Sequence, residues 1–389
     1  MLARFMMWTL AMSVHSATGP PACPTAAKAQ KAVNVFTAGE GGFAVIRIPS
    51  LIADRSGKLF ALAEGRAGGD SDQAANQIIL KVSENQGKSW GPLSVVASDG
   101  NNSLNNPCTV VDQSTGRLFL MYQRVPSGLN EGSSKIEDGF DSPNAYRSLL
   151  TWTDNGGKSW QAPMDITRFV KRAQGVKTIC SGPGIGIQLT RGKHRGRLIV
   201  PFNEGPYGHW NNYAVFSDDH GKHWRMGNNV PGAHITDNKG RTHSQVNEVQ
   251  MAETSDGSVI LSSRQFAGAH VRKQSISRDG GETWSAVSDA PEIQDPSCMG
   301  SLLRYNFSKH GMGLLLYSGP DSTKRENGTV YASFDDGKTW PRKRALIAGE
   351  FAYSVLIRLP HHQFGCLFEA DGYRKIQFVT VPESWILSN

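Results

Sequence analysis

An octet of the form Ser/Thr-x-Asp/Asn-x-Gly-x-x-Trp occurs five times along the chain, at Ser83 to Trp90, Thr153 to Trp160, Ser217 to Trp224, Ser277 to Trp284 and Ser333 to Trp340. Its tryptophans stand 70, 64, 60 and 56 residues apart. A repeat of that length carries about four strands, the size of a large blade in a radial β architecture. The octet has the chemistry of a turn. Its third residue, Asp or Asn, accepts hydrogen bonds from backbone N–H groups of its own loop. The glycine at its fifth position suits a positive φ, and the closing tryptophan offers a large ring to the neighbouring unit. Asn85 and Asn155 replace the aspartate in the first two copies. A turn tolerates that exchange and a general acid does not, so this row of carboxylates reads as structural.

Between the octets, short apolar or alternating runs are bounded by Gly, Asn and Asp: 58–63, 77–82, 117–122, 197–202, 258–263, 313–317 and 375–381. These read as strands, and no long amphipathic helix interrupts them. The 42 glycines, 19 prolines and 19% charged residues fit many short strands joined by tight turns. Although 389 residues exceed most single cores, a ring of blades reaches that size as one domain. The expected fold is an all-β, six-bladed β-propeller. The strand at 33–36 is expected to pair with the one at 376–381 and close the ring, which protects the sheet edges.

Arg4, the apolar run from Phe5 to Val14 and the small residues Ser16, Ala17 and Gly19 have the pattern of a cleaved secretory signal. The expected organisation is a signal peptide at 1–19, a linker at 20–32 and the propeller at 33–389, in a secreted or extracytoplasmic protein with no integral membrane segment after cleavage. The five cysteines are far apart and without metal-ligand spacing, so they predict neither a metal site nor a disulfide framework. The net charge of +7 favours anionic partners, but the basic residues are scattered rather than gathered into a nucleic-acid-binding stripe.

Ile46-Arg47-Ile48-Pro49 resembles the arginine-isoleucine-proline motif of sialidases, and the octets resemble the Asp boxes of that family. Together the motifs cover the chain from about Val33 to its end. The resemblance implies an exo-α-sialidase acting on sialylated glycans, glycoproteins or glycolipids without metal or cofactor. The substrate sugar carries a carboxylate on its anomeric carbon, which arginines recognise through charge-assisted, bidentate hydrogen bonds. By resemblance those arginines are Arg47, Arg264 in the run Leu261 to Arg264, and Arg325 before Glu326. A carboxylate nucleophile would be repelled by the substrate's own carboxylate. Sialidases are accordingly a known exception to the two-carboxylate scheme of glycosidases, using a tyrosine instead.

By the same resemblance Tyr353 is the nucleophile and Glu248 takes its proton. The general acid is Asp72 in the Gly-rich segment Glu64 to Asp72, with Asp70 as its rival. Glu369 resembles the acid that holds the first arginine, and Arg66 is matched to a sugar hydroxyl. Ser181 to Gln188 resembles a Gly-Pro-Gly segment along the pocket wall, and the aromatic loop at 206–210 is a candidate for the aglycone side. Two further alternatives share these residues. One is an enzyme that prefers deaminated sialic acid, transfers the sugar or releases an anhydro product. The other is a non-catalytic propeller that binds sialoglycans.

Overall fold

The computed structural model describes residues 31–308 and 313–388. The signal peptide, most of the linker and Cys23 lie outside the described residues. Six sheets follow one another along the chain as six blades, antiparallel throughout except where the short piece Gly184–Ile185 pairs parallel with Ser103–Val111. The first strands of blades 1 and 2 are Val45–Ala53 and Ser103–Val111. Those of blades 4, 5 and 6 are Val249–Glu253, Ser301–Asn306 and Ser354–Leu359. Blade 3 opens with the shorter pieces Thr178–Ser181 and Ile187–Gln188, which share the strand Leu198–Gly205 as partner. The fourth strand of blade 6 is Val33–Thr37, paired antiparallel with Lys375–Pro382 and registering Val33 on Phe378. The two ends of the described chain thus zip into one sheet, which removes a free edge from the ring. A small hairpin of His234–Thr236 and Thr242–Ser244 stands outside the blades.

The core is radial. Each large apolar cluster lies between two adjacent blades. Phe60, Leu62 and Leu80 of blade 1 meet Leu118, Leu120 and Tyr122 of blade 2, and Cys108, Phe119 and Met121 of blade 2 meet Leu198, Val200 and Tyr213 of blade 3. Both faces of a middle strand are therefore dry. This is why Leu59–Arg66 and Leu198–Gly205 are buried at every position and read as apolar runs rather than alternating ones.

The octets occupy the turn after the third strand of blades 1 to 5. In every copy the side-chain oxygen of the third residue accepts the backbone N–H four residues on, from Ser89 at 2.9 Å in the first to Thr339 at 2.9 Å in the last. The fifth-position glycines all take positive φ, between 77° and 97°. They also face the preceding blade. A Cβ on Gly87 would lie 2.0 Å from Phe378, and one on Gly221 would lie 2.1 Å from Phe119. Trp90 meets Phe378 edge-on at 5.7 Å and Trp224 meets Phe119 at 5.8 Å. Each octet is a clasp from one blade onto the blade before it.

The site follows from this connectivity. In an antiparallel blade the start of strand one, the end of strand two and the start of strand three share one end, and the octets sit at the other. Residues at those three positions converge on one face of the ring, away from the row of octet carboxylates.

Candidate active site

Arg47 stands near the start of the first strand of blade 1, while Glu248 and Tyr353 immediately precede the first strands of blades 4 and 6. Arg264 follows the second strand of blade 4 and Arg325 precedes the third strand of blade 5. All five line one pocket of about 240 Å³, together with Glu64, Arg66 and Asp72. Among the described residues no group of three or more His, Cys, Asp or Glu is arranged to hold a metal ion.

Arg47 is aimed by a bulge. Pairing with the second strand shifts register between Arg47 and Ser50, where Ile48 takes φ of 60° and Pro49 needs no hydrogen-bond donor. Positive φ is costly for a β-branched residue and persists only where the surroundings enforce it. Here buried Glu369 does so: one carboxylate oxygen accepts Ile48 N–H at 2.8 Å and Arg47 Nε at 3.1 Å, and the other accepts Arg47 Nη2 at 3.0 Å and Tyr353 N–H at 3.3 Å. One carboxylate thus fixes an arginine of blade 1 and the backbone of the tyrosine in blade 6.

The Tyr353 hydroxyl lies 2.7 Å from both oxygens of Glu248, and Arg264 Nη1 donates to that carboxylate at 2.6 Å and to the hydroxyl at 2.9 Å. The guanidinium carbons of Arg47 and Arg325 sit 5.4 and 5.3 Å from the centre of the Tyr353 ring, within cation–π range. Burial and the neighbouring Glu248 hold the phenol well above its ordinary range, against the pull of Arg264, Arg325 and Arg47. It is a neutral phenol until a base removes its proton. Burial pulls Arg47 and Arg264 down, but Glu369 and the Tyr353–Glu248 pair respectively outweigh it, so both remain charged.

Asp72 is on the loop between the second and third strands of blade 1. Its side chain is 63% exposed and pairs with Arg66 Nη1 at 2.8 Å. Asp70 is not among the residues lining the pocket, and its carbonyl accepts from Arg66 at 2.8 Å. Arg66 is 1% exposed, and its Nε and Nη2 donate to Glu64 at 3.0 and 2.7 Å, so its fork is largely occupied in tethering this loop.

Several residues in the pocket or against its arginines are absent from the sequence-based set. Buried Glu64 gathers Arg66, Asn76, Asn105 and the Asn106 N–H around itself, and a carboxylate inside the apolar run Leu59–Arg66 is the signal that could have marked it. Tyr373 lays its ring 4.1 Å from the Arg47 guanidinium and accepts from Arg325 Nη1 at 3.1 Å; its φ of 63° in a hairpin turn left no local pattern to read. Glu131 lines the pocket from an exposed loop of blade 2. Burial of its carboxyl among protein atoms, with the charges of Asp72 and Glu248, pushes it up to about 7 against Arg264. From the aromatic loop, exposed Tyr207 and buried Trp210 also line the pocket, packed edge-on at 5.2 Å.

Comparison with known proteins agrees with this architecture. A family model described as a BNR repeat-like domain matches residues 57–366. A sialidase of Micromonospora viridifaciens is 31% identical over 351 residues, covering 87% of this chain and 52% of its own length. A sialidase of Bacteroides fragilis is 28% identical over 357 residues, covering 87% of this chain and 62% of its own. This chain therefore spans between half and two thirds of those curated relatives. The solved structure of the Hadza microbial sialidase Hz136 superposes with a TM-score of 0.79 at 26% identity, over 91% of this chain and 69% of that one. The family model places the chain in the BNR repeat-like domain family, and the relatives it resembles are sialidases.

Proposed function

We propose that the protein is a secreted exo-α-sialidase that removes terminal, α-ketosidically linked sialic acids from glycoconjugates with retention, through a tyrosyl-linked intermediate. The observation that carries this reading is the Tyr353 hydroxyl held 2.7 Å from Glu248 beneath three guanidinium groups. A protein that only bound sialoglycans would need the arginines but not a buried phenol with a base in contact.

In this scheme Arg47, Arg264 and Arg325 hold the substrate carboxylate, with the anomeric carbon against Tyr353. Glu248 takes the phenolic proton as the tyrosine oxygen bonds to that carbon. The bond to the aglycone breaks, and Asp72 gives the departing oxygen its proton. Asp72 lines the pocket with its side chain 63% exposed, open to a departing oxygen. In the second half Asp72 takes a proton from water as the water oxygen bonds to the anomeric carbon, and the tyrosine oxygen leaves and recovers its proton from Glu248. The proton starts on a neutral phenol, so nucleophile and base act as one unit. The test is turnover of an aryl sialoside: Tyr353→Phe should lower kcat by about 10³-fold or more while the thermal midpoint stays put. Wild-type turnover in that variant would remove the mechanism.

A further inference from the structure

A second tyrosine touches the same two arginines as the proposed nucleophile. The Tyr373 ring lies 4.1 Å from the Arg47 guanidinium, and its hydroxyl accepts from Arg325 Nη1 at 3.1 Å. It stands in the turn between the strands Gln363–Ala370 and Lys375–Pro382, just beyond Glu369. That one hairpin therefore meets Arg47 twice. Glu369 takes its Nε and Nη2 and Tyr373 lies against the guanidinium, which leaves Nη1 for a ligand. Arg325 is held at both terminal nitrogens, Nη1 by Tyr373 and Nη2 by the Ser297 carbonyl at 2.9 Å. Each of those nitrogens keeps a second hydrogen to donate.

Packing alone does not account for this placement. Asp371, Gly372 and Tyr373 take positive φ of 56°, 58° and 63° in succession. Residues with a Cβ enter that region at a cost and stay there only under constraint. The turn is pinned by Glu350, whose carboxylate accepts the Gly372 N–H, and by Asp371, paired with Arg374 at 2.6 Å and Lys375 at 2.9 Å. Half-buried Tyr373 packs against the cluster of Ile48, Met299 and Tyr353, yet it also borders a cavity of about 90 Å³. A ring beside a cavity is not wedged by a filled core. Its polar contacts are the two guanidinium groups.

Arg47 and Arg325 are like charges gathered over one ring, 5.4 and 5.3 Å from the centre of Tyr353. A carboxylate beside both would hold them but would cancel charge that an anionic sugar needs. A tyrosine offers two electron-rich surfaces, its ring face and its hydroxyl oxygen, and carries no charge. We infer that Tyr373 is a positioning residue that holds Arg47 and Arg325 at the spacing for one carboxylate without neutralising either. Arginines ordered beforehand lose less freedom when an anion arrives, so the gain is in affinity. The carboxylate is gripped before and during bond exchange alike, so the chemical step does not draw on Tyr373.

The inference rests on the sialidase reading and is tested on a 4-methylumbelliferyl sialoside, with binding of the 2-deoxy-2,3-dehydro acid followed by calorimetry. Tyr373→Phe keeps the ring and removes the acceptor for Arg325. It should raise KM and the dissociation constant about three- to tenfold, with kcat changed by less than about twofold. Tyr373→Asn also removes the ring, with a residue that suits the left-handed backbone, and should raise both about thirtyfold. In an Arg325→Ala background Tyr373→Phe should have no further effect on the dissociation constant, because the hydroxyl acts through that arginine. Should Tyr373→Asn fold poorly, Tyr373→Phe decides alone. Wild-type KM and binding in Tyr373→Phe, a fall in kcat at unchanged KM, or an undiminished effect in the Arg325→Ala background overturns the inference and leaves the sialidase reading intact. A wild-type protein that neither turns over the sialoside nor binds the dehydro acid overturns both.

Discussion

Replacing Glu369 by glutamine keeps the shape of the side chain and reverses half of its hydrogen bonding. Whichever end becomes the NH2 group, a donor then faces two donors. On one side these are Arg47 Nη2 and the Tyr353 N–H; on the other they are Arg47 Nε and the Ile48 N–H. The loss is one charge-assisted bond of about 1.5–3 kcal/mol and one backbone bond of about 1 kcal/mol. Glu369 is 1% exposed, so water cannot replace them, and Arg47 is left without its counter-charge. Glu369→Gln should therefore lose about 3–4 kcal/mol in urea-induced unfolding, a sizeable part of the roughly 5–15 kcal/mol that holds a domain together. Because the same oxygens set the positive φ of Ile48 and the backbone of Tyr353, the arginine and the phenol should also drift apart, lowering kcat/KM on an aryl sialoside by about 10²-fold. A variant within about 0.5 kcal/mol of wild type, with unchanged kcat/KM, would show that Glu369 does not carry this junction.

Asp72→Asn should lower kcat by about 10²–10⁴-fold on sialyllactose and much less on an aryl sialoside, whose leaving group needs little protonation, while Asp70→Asn should do neither; equal effects of the two variants would reopen the assignment. Glu131 ionises as pH rises through about 7, adding negative charge to a pocket for an anionic sugar, so KM should climb above that pH and the climb should vanish in Glu131→Gln; a KM flat with pH in the wild type counts against it. Asp279→Ala removes acceptors for the Thr283 N–H and hydroxyl in an octet remote from the pocket. It should cost about 1–2 kcal/mol in unfolding with kcat/KM unchanged, whereas lost catalysis in a stably folded variant would give the octets a role in the reaction.

The parts of this molecule legible in its sequence are those that local chemistry dictates. An octet needs an acceptor, a positive-φ glycine and a tryptophan at fixed offsets, so five copies announced the blade count within one, and the pairing of Val33 with Phe378 supplies the sixth sheet. Arg47, Glu248, Arg264, Arg325 and Tyr353 were readable through the motifs beside them, and antiparallel connectivity brings their strand ends to one face. Glu64, Asn105, Glu131 and Tyr373 have no such markers. Asn105 is set by a register shift that opposes Asn106 and Pro107 to a single partner residue, and Tyr373 by a left-handed turn. Their importance comes from neighbours in other blades, which no stretch of sequence displays. Arg66 shows the same limit: its place was evident, but its fork is taken up by Glu64 and the Asp72 loop.

The account turns on which atom bonds to the sugar. Incubating the enzyme with a 2,3-difluorinated sialic acid, whose second fluorine slows release of the intermediate, and digesting it for mass spectrometry should place the added sugar on the peptide containing Tyr353, with Tyr353→Phe unlabelled. Label on Glu248, or turnover of this reagent with no labelled peptide at all, would contradict a tyrosine nucleophile.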